Sequence, residues 1–325
     1  MKQIFIVGHG GLDKLQLRES PDPDPVRGEI RIRVKASGVN FADILARQGL
    51  YPDAPKLPCV IGYEVSGTVD ATGPDVDPSW VGRDVFALTR FGGYSDVVIV
   101  PQKQAFAKPA SLSHEQAAAI PVNYLTAWQL LVVMGALRPE ETVLIHNAGG
   151  GVGLASIDIA RHIGATIYGT ASSGKHAFLM QRGLHEAIDY RTKDWAVELD
   201  RLTNGKGVAL ITDPLGGQAL EEELQGAAFD GTARHVWHFG GNEFKAIRVV
   251  APTAGGARHA VLPSARADEL QQIRLRGEPR PHVARDRHGR WLDGNTGEGC
   301  RGWLGSPPCG QELPARAGRR SANLY

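Results

Sequence analysis

From Met1 to about Ala119 the chain is patterned at a period of two. EIRIRVKASGV alternates charged and apolar residues, as a half-buried strand does. CVIGYEVSGTVDATG and YSDVVIVP read as further strands, each closed by glycine or proline. Short strands at close spacing, with turn residues between them, predict a barrel-like β domain over 1–119.

Near His114 the period lengthens. SHEQAAAIPVNYLTAWQLLVVMGAL reads as helix broken at Pro121, with Ser113 as N-cap and Gln116 completing a capping box. ETVLIHNAGGGVGLASIDIARHIGATIYGTAS then reads as strand, glycine turn, helix and strand, a βαβ unit. HEAIDYRT and GVALITDPLGG supply two more strands, with the helix WAVELDRLTN between them. Strands alternating with helices predict a parallel, doubly wound sheet over 120–224, so the fold class is α/β. After about Leu224 the pattern fails. Lys245 is the only lysine beyond Lys206, arginines are frequent, and residues 225–325 carry no helix or strand period. Too little patterned apolar surface remains there to offset the entropy of ordering, so this tail is expected to be disordered and the sheet to end on an exposed edge.

Composition narrows the function. The formal net charge of the 325 residues is +1, which gives no overall bias toward nucleic acid or membranes. No apolar run reaches the ~18 residues of a membrane span, and the start lacks a signal-peptide layout, so a cytoplasmic protein is expected. The three cysteines, Cys59, Cys300 and Cys309, indicate no disulfide framework. The arginine tail also carries Asp268, Glu269, Glu278, Asp286, Asp293, Glu298 and Glu312, which dilute its charge, and no nucleic-acid module is visible.

The turn NAGGGVG is the strongest chemical signal. Asn147, Gly149, Gly150, Gly151, Val152 and Gly153 lie between a buried strand and a helix, where backbone N–H groups and the helix dipole can receive a pyrophosphate. By itself a glycine cluster is equally a tight loop; the flanking strand and helix favour a dinucleotide. About 20 residues on, where NAD-selective sites carry an acid, the chain has GTASSGK. Ser172 and Ser173 replace the carboxylate and Lys175 follows, a set that suits the 2′-phosphate of NADPH unless Lys175 is an ordinary solvated lysine.

Several stretches, in order, resemble one family: GHGGLDKLQL, GVNFADILARQGLYP, VNYLTAW, HNAGGGVGLAS, GTASSGKH, AIDYRTKDW and DPLGG. Over residues 1 to about 224 the chain resembles the medium-chain dehydrogenase/reductase superfamily, in its zinc-independent quinone oxidoreductase branch, near homologues of the synaptic-vesicle amine-transport protein. The resemblance implies a GroES-like β domain, a Rossmann domain, and an active site in the cleft between them. It also implies cleft roles for Asn40, Tyr51 and Thr126: Asn40 and Tyr51 as donors to the substrate oxygen or to the nicotinamide amide, Thr126 beside the nicotinamide. Without it, Asn40 and Tyr51 are equally turn residues of GVNF and GLYP. Tyr190 matches a position beside the adenosine 2′-phosphate, with Lys175.

Zinc members of the superfamily bind metal with Cys, His and a further Cys or acid. Here those positions hold Asn40 and Tyr63, with Glu64 remaining, and His114, His146, His162 and His176 are scattered singly. About three N, S or O ligands are needed, so no metal is expected. Without a Lewis acid an alkoxide is poorly stabilised, whereas hydride addition to a quinone or an α,β-unsaturated carbonyl needs only hydrogen-bond donors. Cys59, with no nearby histidine, reads as a small buried hydrophobe. The reading is an NADPH-dependent, zinc-independent quinone or enone reductase. A non-catalytic nucleotide-binding adaptor or redox sensor is the alternative.

The family continues after DPLGG with a helix, two more Rossmann strands and a return to the β domain. Synonymous codons for SARADELQQIRLRGEPRPHVAR, read one nucleotide later, yield RLALMNSNKFVFGVNPGHMWR, which resembles a family segment. The same offset converts LQGAAFDGTARHVWHF and CGQELPARAGRRSANLY into family-like segments in the family's order. One extra nucleotide near Glu222 or Glu223 accounts for all three, so residues 225–325 read as frame-shifted and the chain as an impaired copy. A homodimer through a Rossmann edge strand is expected only of the intact frame.

Overall fold

The structure, a computed structural model, describes residues 1–214 throughout and, beyond them, the backbone of five strands. In the N-terminal half, β1 (Lys2–Ile6), β2 (Leu15–Glu19) and β4 (Cys59–Val60) form a three-stranded antiparallel sheet in the order β2-β1-β4. Strands β3 (Glu29–Ser37), β5 (Glu64–Thr72), β6 (Asp84–Leu88), β7 (Val97–Pro101) and β8 (Ala105–Ala107) form a five-stranded antiparallel sheet in the order β7-β3-β5-β6-β8.

The period-two pattern is realised in β3. Ile30 and Ile32 are buried against Val65, Val69, Val85, Val98 and Val100. Each such side chain contributes about 1.5–3 kcal/mol on leaving water. On the other face Arg31 and Arg33 donate to the two oxygens of Asp70, at 2.8 and 2.5 Å. Helix α1 (Phe41–Gln48) sits between β3 and β4, opened by Asn40 and ended by Gly49 in the left-handed conformation, φ 78°.

The capping box at Ser113 is present: Ser113 N–H donates to Gln116 Oε1 and Gln116 N–H to Ser113 Oγ. It starts α2 (His114–Ala118), which packs on β3, β5 and β6. Pro121 breaks the chain as expected and starts α3 (Pro121–Trp128), where its missing N–H costs nothing. A π-helical turn (Gln129–Met134) follows.

The second half contains β9 (Thr142–Ile145), α4 (Gly151–Ile163), β10 (Thr166–Thr170), α5 (His176–Arg182), β11 (Glu186–Ile188), α6 (Trp195–Thr203) and β12 (Leu210–Asp213). The strands run parallel in the order β11-β10-β9-β12. Val143, Leu144, Ile145, Ile157, Ile167, Leu179 and Ile211 are fully or almost fully buried on the faces of this sheet. The chain lays β9, β10 and β11 to one side and then returns to place β12 on the other side of β9. Open α/β sheets bind ligands beyond the carboxyl ends of the strands at such a reversal, here β9 and β12.

The expectation of a patternless tail is corrected over two segments. β13 (His235–Gly240) pairs parallel with β12, Leu210 opposite His235, and β14 (Glu243–Arg248) pairs antiparallel with β13. A two-residue strand β15 (Ala260–Val261) follows on β14. The reason is backbone chemistry: β12 offers a row of unpaired N–H and C=O groups, which an extended segment satisfies whatever its family pattern. The rest of 215–266 lies outside the described residues.

The chain divides into two compact units, 1–266 and 267–325. In the second, two short strands, β16 (Ala284–Arg285) and β17 (Trp291–Leu292), pair antiparallel. The expected disorder of the remainder lies outside the described residues. Among the described residues no helix is long and apolar enough to cross a membrane.

Candidate active site

The glycine turn lies beyond the carboxyl end of β9, at that reversal. Asn147 follows β9 with φ 52°, and its C=O accepts the Gly150 N–H at 2.9 Å. Gly150 is the N-cap of α4 and supplies no side-chain cap. The N–H groups of Gly151, Val152 and Gly153, in the first turn, therefore have no intrahelical acceptor. Gly153 is needed for close approach rather than for φ: a Cβ there would stand 2.5 Å from Asn147 O and 2.7 Å from Ala148 Cα.

The proposed 2′-phosphate residues gather beside this turn. Ser172 caps the short 3-10 turn Ser173–Lys175, and exposed Lys175 reaches back so that Nζ donates to Gly149 O at 3.2 Å. Asp189, after β11, accepts the N–H groups of Ser173 and Arg191, at 3.3 and 3.0 Å. The Arg191 N–H bond, helped by Ser173, holds its carboxyl below the ordinary carboxylate range, although burial opposes this. Tyr190 is exposed, with the Arg191 guanidinium 5.9 Å from its ring centre. Sequence reasoning missed Asp189 and Arg191, although both flank Tyr190 in IDYR; no turn chemistry marked them.

The other wall comes from the β domain. Asn40, half-buried at the N-cap of α1, donates from Nδ2 to Glu64 Oε1 at 2.9 Å. Glu64 Oε2 accepts the Val122 N–H at 2.7 Å, so this carboxylate joins β5 to α3. Thr126 lies one turn beyond Val122 on α3 and is half-buried. Tyr51 stands edge-on to Tyr63, ring centres 6.3 Å apart, and Tyr63 tilts against Phe91 at 5.2 Å. Tyr63 Oη is buried with no well-formed hydrogen bond among the described residues. Burial, then Tyr51 and the charges of Asp53 and Asp43, push its pKa well above the ordinary phenol value. Asp43 is buried and accepts the Asn40 N–H at 2.8 Å and the Tyr94 hydroxyl at 2.9 Å. Burial raises the pKa of both Asp43 and Glu64.

The histidines are held apart. His114 shares a 2.8 Å hydrogen bond with Ser66 Oγ, His146 a 3.0 Å bond with Thr170 Oγ1, and His176 a 2.9 Å bond with Ala171 O. Among the described residues no three His, Cys, Asp or Glu side chains converge in a way that could hold a metal. Cys59 is buried in an apolar cluster with Ile6, Ala46 and Ile61, and burial pushes its thiol up.

The profile of the alcohol dehydrogenase GroES-like domain matches residues 26–110, and that of the zinc-binding dehydrogenases matches residues 151–245. The zebrafish (Danio rerio) synaptic vesicle membrane protein VAT-1 homolog is 42% identical over 218 residues, covering 66% of this chain and 45% of that protein. The chain thus spans about half the length of the curated relatives it matches first. The Escherichia coli quinone oxidoreductase complexed with NADPH is 30% identical with a TM-score of 0.67, covering 85% of this chain and 78% of that one. The CurK enoyl reductase is 33% identical with a TM-score of 0.65, covering 69% of this chain and 70% of that one. With a GroES-like sheet, a Rossmann-type sheet and these likenesses, the chain belongs to the medium-chain dehydrogenase/reductase superfamily, among its VAT-1-like members.

Proposed function

We propose that the protein is built as an NADPH-dependent, zinc-independent reductase that delivers hydride to a quinone or an α,β-unsaturated carbonyl. The observation that supports this reading is a glycine turn that opens α4 with no side-chain cap, together with the Asn40 amide tied through Glu64 to the start of α3. The zinc named by the family profile does not fit: Asn40 and Tyr63 are poor ligands, and both oxygens of Glu64 already accept hydrogen bonds. NADPH fits better. The first turn of α4 receives the pyrophosphate, Gly153 lets helix and turn approach, and Lys175, with Arg191 nearby, supplies positive charge for a 2′-phosphate. When bound, the cofactor supplies the hydride. Asn40 and Tyr51 then act as donors where negative charge develops on the acceptor's oxygen, and Thr126 packs beside the nicotinamide. Two structural neighbours, a quinone oxidoreductase and an enoyl reductase, support this acceptor class.

The same reading holds that residues 225–325 are family sequence translated one nucleotide out of register, which leaves 1–119 as the β domain and 120–224 as an incomplete Rossmann domain. Sequencing the source DNA across the codons for Leu220 to Ala228 tests this. An extra nucleotide against an open, family-like frame supports it; stop codons in that alternative frame refute it. The functional test is NADPH oxidation with a panel of quinones and enones, on this chain and on its frame-restored form. NADPH binding without turnover in the restored form favours the adaptor reading, and no NADPH binding refutes both.

A further inference from the structure

We propose that Glu64 is a positioning residue of this cleft: its buried carboxylate orients the Asn40 carboxamide and ties it to the first turn of α3. What Asn40 then does rests on the function proposed above; how it is held does not.

Glu64 is 1% exposed, yet among the described residues no cation pairs with it. A buried carboxylate without such a partner is costly unless both oxygens are satisfied by hydrogen bonds. Here both are, and by donors from two separate elements. Oε1 takes the Asn40 amide from the β domain, and Oε2 takes the Val122 N–H from α3. Pro121 brings no N–H to this helix start, so Val122 carries its first donor. The positive end of the α3 dipole adds to the attraction.

The surroundings are shaped for this arrangement. A Cβ on Gly38 would stand 2.2 Å from Glu64 Oε1, so a side chain at position 38 would displace the carboxylate. Asp43 fixes the backbone of Asn40 through its N–H at 2.8 Å, while Glu64 fixes the side chain. The carboxamide can face Glu64 in only one sense, because turning it over aims Oδ1 at a carboxylate oxygen. One Nδ2 hydrogen is therefore committed to Glu64, and the second remains as a donor of fixed direction. The same carboxylate sets the start of α3, which carries Thr126 one turn later. A preset donor contributes more than a mobile one because it needs no reorganisation as charge develops.

The test uses the full chain labelled with 15N at asparagine and valine. In the parent protein the two Asn40 side-chain protons should be widely separated in shift, and the Val122 amide should exchange about 100-fold slower than a free amide despite its place in a first helical turn. Glu64→Gln keeps the shape but turns one acceptor into a donor. It should collapse the Asn40 separation toward that of an exposed asparagine, or speed Val122 exchange at least about tenfold. A folded Glu64→Gln protein with both signals unchanged overturns the proposal. Should that variant not fold, the parent decides: free-amide exchange at Val122 overturns the idea and protection upholds it. Where NADPH turnover is measurable, Glu64→Gln should lower kcat about tenfold with KM for NADPH within about twofold. Adding Asn40→Ala should then cost less than about twofold more, and full additivity overturns the link. Absence of NADPH binding refutes the proposed function and leaves the NMR outcome to judge Glu64 by itself.

Discussion

Gly153→Ala tests whether the glycine turn is held by close packing. The new methyl would stand 2.5 Å from Asn147 O and 2.7 Å from both Ala148 C and Cα. These are backbone atoms next to a central strand and cannot swing aside as a side-chain tip can. Ordinary contact begins near 3.4 Å, so α4 must retreat by about 0.9 Å. That helix is anchored through buried Ala155, Ile157 and Ala160. Overpacking of this kind costs about 1–3 kcal/mol. At roughly 2–4 °C per kcal/mol for a domain of this size, Tm should fall by about 2–12 °C. The same retreat moves the first-turn N–H groups away from the pyrophosphate and should raise the Kd for NADPH at least about tenfold, since each charge-assisted bond contributes about 1.5–3 kcal/mol. Thermal unfolding and fluorescence titration with NADPH read both effects. Gly174→Ala is the control for Tm, because a Cβ there meets nothing within 4 Å. A Gly153→Ala protein with unchanged Tm and NADPH affinity refutes the close-approach argument.

Lys175→Glu should weaken NADPH by at least about tenfold while changing NADH much less, because only the former carries the extra phosphate; equal losses in parallel titrations refute the 2′-phosphate assignment. Gly38→Ala should lower stability by about 1–3 kcal/mol in urea, since its Cβ would meet the Glu64 carboxylate, and an unchanged midpoint counts against that contact. Asp43 has a folded pKa raised by burial, so the folded state holds its proton more tightly than the unfolded one and this group's contribution declines as pH rises through the raised value. Asp43→Asn should remove that decline, and the variant's stability relative to the parent should therefore increase with pH in urea titrations; a constant or falling difference refutes the assignment. Asp70 runs the other way. Although burial opposes it, Arg31 and Arg33 hold its pKa down, so its contribution is present above the unfolded value and is lost on acidification through the folded one. Asp70→Asn should be less stable than the parent at neutral pH and converge with it in acid.

The period-two run at Ile30 and Ile32, the Ser113–Gln116 capping box, the break at Pro121 and the βαβ unit around NAGGGVG were all legible, because each is a local rule obeyed locally. Lys175 was legible as a nearby cation, but its reach back to Gly149 O depends on a turn formed 26 residues downstream of that glycine. Glu64 is visible in IGYEVSG, yet its partners Asn40 and Val122 lie 24 and 58 residues away on different elements. No periodicity announces such a junction, and a lone glutamate in a strand reads as solvated. The pairing of β13 with β12 was hidden for the opposite reason. A ladder is a backbone contract, and the sequence pattern after Leu224 says little about whether the chain runs extended past an open edge.

The cleft wall has a consistent electrostatic logic. This wall holds two buried carboxylates, Asp43 and Glu64. By themselves they would repel the negative charge that develops on a carbonyl oxygen during hydride addition. The arrangement can serve that chemistry only if neutral donors stand between. Asp43 accepts from Asn40 N–H and Tyr94, and Glu64 from Asn40 Nδ2, so each carboxylate is turned inward and each donor it holds is fixed in direction. Burial, joined by Tyr51 and by the charges of Asp53 and Asp43, raises the pKa of Tyr63 and so favours the neutral phenol. A neutral phenol is a hydrogen-bond donor. Burial first, and the nearby carboxylates after it, favour neutral hydroxyls on Tyr63 and Tyr94, which suits the proposed acceptor, whose oxygen needs polarising.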